Sequence, residues 1–134
     1  MRKAIAAITL ALCLTACSEE VLDPAFIANP DIRMEIEGRT VFKYDPITCQ
    51  QSFNADKRRF IVHTDSMTDY YIVTLSDLPS EEGRTINGDV SWTTLSSGTQ
   101  TKKNIAFKVA KLEGNKVWLW NARNRIQLTV SILE

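Results

Sequence analysis

From residue 32 onward, apolar and polar residues trade places at every second position, in short runs broken by turn residues. Ile32, Met34 and Ile36 alternate with Arg33, Glu35 and Glu37. A period of two marks a half-buried strand, because successive side chains point to opposite faces. Gly38 predicts a turn and residues 40–44 a returning strand. Asp45-Pro46 ends that strand, since proline has no N–H for the ladder. Residues 47–56 read as polar and irregular, with Cys49 and Phe53 as inward anchors. Residues 59–64, 70–75 and 90–94 resume the alternation. Asn87-Gly88 reads as a tight turn. Residues 96–101 read as a polar loop around Gly98.

The C-terminal third predicts a three-strand meander over 104–112, 116–121 and 125–133. With Gly114-Asn115 as a two-residue turn, Glu113 faces Lys116 and Val109 faces Trp120. With 122–124 as a three-residue loop and Asn124 in the left-handed region, Trp120 faces Ile126 and Trp118 faces Leu128. Both turns then place Phe107, Val109, Trp118, Trp120, Ile126, Leu128 and Val130 on one inward face. The opposite face carries Ala110, Leu112, Val117 and Leu119. It is more apolar than a solvated face, which predicts cover by another segment or by a partner. No helical stripe of useful length follows residue 31. At least seven short strands predict an all-β fold over 32–134: a single small antiparallel β-sandwich, with a small β-barrel as the alternative.

The N-terminus is built differently. Arg2 and Lys3 precede an apolar run of eleven residues, 4–14, and the run closes on Leu14-Thr15-Ala16-Cys17. Eleven residues suit a secretory signal and are too few to cross a bilayer, which takes about 20. The tetrapeptide resembles the lipobox of bacterial lipoproteins, and the resemblance covers roughly the first 20 residues. It implies removal of 1–16 as a signal peptide. It also implies a diacylglycerol on the Cys17 sulfur and an acyl chain such as palmitate on its amine. At about 0.8 kcal/mol per buried methylene, such an anchor is effectively permanent. Residue 18 is Ser and not Asp, so the family's usual inner-membrane retention signal is missing and the outer membrane is expected. Ser18-Glu19-Glu20 looks like the acidic surface tag of some Gram-negative lipoproteins, and it reads equally as a solvated tether. A flexible lipidated tether is expected over 17–31, where Pro24 and Pro30 bracket Ala-Phe-Ile-Ala-Asn and no period survives; Phe26 and Ile27 either dock as a short turn against the domain or lie near the lipid headgroups. Its fourteen residues after Cys17 reach ~50 Å at full extension.

Composition narrows the function. Of 134 residues, 118 remain after removal of 1–16, enough for one small domain. Two of the 16 basic residues leave with the signal, so 14 face 16 acidic ones and the net charge is near −2. No basic stripe marks a nucleic-acid partner. Cys13 leaves and Cys17 is lipidated, so Cys49 stands alone and reads as a small buried hydrophobe.

Candidate chemistry is sparse. His63 is the one histidine, near Asp65, Ser66 and Asp69, and no G-x-S-x-G elbow accompanies it. No catalytic residue, metal site or cofactor is expected. Glu35 and Glu37 share a strand face, and the plain reading is two solvated glutamates. Trp118 and Trp120, two apart, are core if buried and a stacking platform if exposed. With Trp92 they form the candidate ligand or partner surface. The expected function is a non-enzymatic envelope or cell-surface lipoprotein, held to the membrane by its lipid. It would bind a protein or glycan or serve envelope assembly. A small barrel holding a hydrophobic ligand and an envelope-polymer hydrolase are the alternatives.

Overall fold

The computed structural model describes residues 24–132. The expected signal peptide at 1–16, the expected lipidation site Cys17 and the acidic triplet lie outside the described residues. Among the described residues one short helix, α1 (Pro24–Ala28), precedes nine strands. They are β1 (Arg33–Ile36), β2 (Arg39–Lys43), β3 (Cys49–Asn54), β4 (Arg59–Thr64) and β5 (Tyr70–Leu75). β6 (Thr85–Thr94), β7 (Gly98–Glu113), β8 (Lys116–Asn121) and β9 (Ile126–Ser131) follow. They form one sheet in the order β2-β1-β9-β8-β7-β6-β5-β4-β3, antiparallel at every junction.

Chain connectivity forces this sheet to curl. β2 and β3 are consecutive in sequence yet lie at opposite edges. Tyr44 N–H still donates to Ile32 C=O beside β1 at 2.8 Å. Thr48 C=O already accepts from Asp65 N–H beside β4, also at 2.8 Å. The edges of a flat nine-strand sheet would stand about 38 Å apart at ~4.8 Å per strand. Four chain steps cover at most ~15 Å. The sheet therefore bends into a half-barrel. Across its interior the Phe42 ring meets the edge of Tyr71, with centroids 5.5 Å apart and planes at 74°. The Tyr71 hydroxyl donates to the Thr129 carbonyl at 2.6 Å, joining β5 to β9 across the core. Burial pushes the Tyr71 hydroxyl well above the ordinary tyrosine range.

The all-β antiparallel domain is thus as the alternation predicts, with both layers drawn from one continuous sheet. Met34, Val62, Val73, Val90, Phe107, Val109, Leu119 and Leu128 fill the interior. Cys49 is buried and free, as expected. Several local expectations are corrected. Residues 49–54, read as irregular, form edge strand β3. Glu37 leaves β1 for a turn, with φ of 53°. Asn87-Gly88 lies inside β6, and the turn falls at residues 95–97. Gly88 is there for space: a Cβ would stand 3.2 Å from both Leu75 Cδ2 and Phe107 Cδ2.

The meander register is also corrected. Glu113 does face Lys116, but the β7–β8 ladder slips between Val109 and Lys111. Val109 consequently faces Leu119, and Lys111 faces Trp118. The β8–β9 connection takes four residues, 122–125, and Arg125 holds the left-handed position with φ of 55°. Leu119 faces Leu128, and Trp118 faces Thr129. Val117 and Leu119 are therefore core, and Trp118 and Trp120 occupy the outer face.

Candidate interaction surface

The outer face of β1, β9, β8 and β7 is laid out by these registers. Glu35, Gln127, Trp120 and Lys108 stand side by side. Thr129, Trp118 and Lys111 form the next row. Such a face would ordinarily meet solvent, yet Trp118 is 1% exposed and Trp120 8%. Part of the cover comes from the segment expected to be a loose tether. Phe26 of α1 is fully buried, with the Arg33 guanidinium 5.1 Å from its ring centroid. Trp118 Nε1–H donates to the Asn29 carbonyl at 3.1 Å. Lys116 Nζ donates to the Pro30 carbonyl at 2.7 Å. Lys111 Nζ adds to the cover, 4.8 Å from the Trp118 ring centroid. From Pro24 onward the expected tether is therefore part of the domain.

The covered layer also holds charge. Arg33 and Glu35 pair at 2.8 Å with side chains only 13% and 11% exposed. The expected pair of solvated glutamates is not assembled, because Glu35 is under cover and Glu37 is in the turn. Arg33 Nε, Gln127 Oε1 and Thr129 Oγ1 are buried in this layer and meet no protein partner. An unmet buried polar atom costs roughly 1–3 kcal/mol, so aromatic burial holds this layer more than polar bonding does.

Trp92 is elsewhere. It faces Tyr71 across β5–β6, on the interior side, and is 4% exposed. The three indoles therefore do not share one surface, and they cannot line one interior cavity. His63 Nδ1 lies 2.8 Å from the Thr64 carbonyl, and Asp65 accepts from Gln50 Nε2 at 3.2 Å. No cluster of three or more His, Cys, Asp or Glu suited to a metal occurs among the described residues. An open recess of about 420 Å³ lies at the β3–β4 hairpin, against Ser52, Asn54, Lys57 and Arg59.

The bare surface that pattern reading missed is the β6–β7 arm. Residues 90–94 pair with 98–102 beyond the point where β8 ends. Hydroxyls pair across it, Ser91 with Thr101 at 3.1 Å and Thr93 with Thr99 at 2.8 Å. The turn carries Leu95, 80% exposed. Residues 98–104 are exposed throughout. Asn104 bends the strand with φ of 56°, and its N–H donates to Asp89 Oδ1 at 2.8 Å. Antiparallel alternation puts this turn at the end of the sheet opposite the start of β1. The sequence signal was Thr-Gln-Thr-Lys-Lys-Asn at 99–104, polar on both faces and so without a period.

Compared with protein-family models, with curated proteins and with solved structures, the chain matches none. No helix among the described residues is long and apolar enough to cross a membrane.

Proposed function

We propose that this chain is a lipid-anchored envelope lipoprotein of the outer membrane, whose β-domain binds a protein or glycan partner or serves envelope assembly. The observation that carries the anchor is Leu14-Thr15-Ala16-Cys17 after the Arg2-Lys3 and apolar run. The docking of residues 24–30 adds a physical consequence. Seven chain steps separate Cys17 from Pro24, so the free reach falls to ~25 Å. The body is held near the bilayer, with the start of β1 on the anchored side and the β6–β7 arm directed away. Such a stance suits a module that presents one surface to a partner.

Fractionation of cells making the wild-type chain and Cys17→Ala tests the anchor. Wild type stays with the washed membrane and its N-terminal peptide carries the acyl mass; Cys17→Ala is released. An unmodified Cys17 peptide, or Cys17→Ala retained after washing, contradicts the reading.

A further inference from the structure

We infer that the free edge of β7 over residues 98–104 is a docking strand for an extended, acidic segment of a partner protein. The inference deepens the binding-module reading and does not depend on the lipid anchor. β7 is an interior strand of the sheet, yet its two halves differ in their neighbours. β8 pairing reaches only Lys108, opposite Trp120. Beyond it the Asn121 side-chain amide donates to the Ala106 carbonyl at 2.7 Å and ends the contact. Past that point the side of β7 turned away from β6 has no strand beside it among the described residues. Among the described residues no backbone hydrogen bond outside the β6 ladder engages 98–104, apart from that of Asn104 to the Asp89 carboxylate. Up to the bend at Asn104, a row of backbone donors and acceptors held extended by a partner on one side is a template for an added strand.

Charge selects the occupant. Lys102 and Lys103 are exposed and neither has an ion-pair partner among the described residues. Arg123, exposed in the connection after β8, lies at the foot of the same edge. A second copy offering the same edge would bring two further lysines to the seam and no acid, a like-charge excess that disfavours pairing. A strand with acidic side chains at alternate positions satisfies the ladder and meets the lysine on the face they share, since the adjacent Lys102 and Lys103 project to opposite faces. The Thr99 and Thr101 hydroxyls are already engaged with β6, so recognition rests on backbone and charge.

The test uses the purified full-length chain in detergent and a synthetic peptide of alternating threonine and glutamate. Amide exchange is read residue by residue, with an alternating threonine–lysine peptide and a single-stranded DNA oligonucleotide as controls. The expected result is slowed exchange at alternate amides within 98–104 with the glutamate peptide only. Kd should rise at least tenfold in Lys102→Glu/Lys103→Glu, which changes exposed side chains and leaves the core untouched. Protection elsewhere, equal binding of the lysine peptide, or equal competition by the oligonucleotide overturns strand addition. Because no membrane is present, that failure leaves the Cys17 fractionation result standing.

Discussion

The two halves of β7 show what decides whether a strand becomes interior or surface. Its C-terminal half pairs with β6 as far as Lys108 and with β8 from Lys108 onward, and it carries Phe107 and Val109 into the core. Its outward face there lies beside the Trp118 layer that residues 24–30 help to cover. Its N-terminal half is paired on one side, covered by nothing among the described residues, and spelled in threonine, glutamine and lysine. One strand runs through both, bent at Asn104. The difference is side-chain area to bury. An indole and a phenyl ring each remove large apolar surface from water, while a Thr-Gln-Thr-Lys run offers little. The same contrast explains why a proline-bracketed segment docks instead of hanging free. Phe26 has the Arg33 guanidinium to stack against, and Trp118 has the Asn29 carbonyl to bond.

That contrast can be broken at its covered end. Trp118→Ala removes a fully buried indole and the bond to Asn29, and should cost about 3–5 kcal/mol in urea unfolding. A loss below ~1 kcal/mol would mean the cover contributes nothing to stability. Tyr71→Phe is next, at about 1–2 kcal/mol near neutral pH, since it leaves the Thr129 carbonyl unmet. Its pH dependence has a definite sign. Burial raises the folded-state pKa of Tyr71, so its contribution is complete below the unfolded value near 10. It is lost as pH rises from there through the raised folded value. The gap between wild type and Tyr71→Phe should therefore narrow in alkaline unfolding titrations. A gap constant with pH would contradict the buried neutral hydroxyl.

Smaller effects sharpen the comparison. Thr129→Val replaces a buried, unpartnered hydroxyl by a methyl of similar shape, and should be neutral or stabilising by up to ~1 kcal/mol. A clear loss in thermal unfolding would mean that the hydroxyl is satisfied. Thr101→Ala on the bare arm should stay within ~0.5 kcal/mol of wild type. Thr129 and Thr101 thus carry the same side chain in the two regions and should respond differently to its loss.

The sequence displayed much of the fold and little of the surface. β4, β5 and β8 fall where alternation put them, because each segment is bounded by unambiguous turns. β8 shows why register failed where strand position succeeded. Val117, Trp118, Leu119 and Trp120 are all buried. A strand buried on both faces has no polar side to orient it. Two one-residue irregularities, the slip between Val109 and Lys111 and the left-handed Arg125, then moved the indoles to the other face. Nothing in Ala110 or Arg125 announces either. Asn87-Gly88 misled for a related reason: a glycine kept for contact with Leu75 and Phe107 looks like a glycine kept for a turn. Recognising α1 as structural needed only Phe26, an aromatic residue too large to leave in a free tether. What it docks against was invisible without the register.

The central structural claim is that residues 24–30 belong to the domain and close over Trp118. The exchange rate of the Trp118 indole N–H, followed by NMR in the full-length chain, tests it most directly. Donation to the Asn29 carbonyl under cover predicts exchange far slower than that of a free indole, and a return toward the free rate in Phe26→Asp. An indole N–H that exchanges at the free rate in the wild-type chain would contradict it.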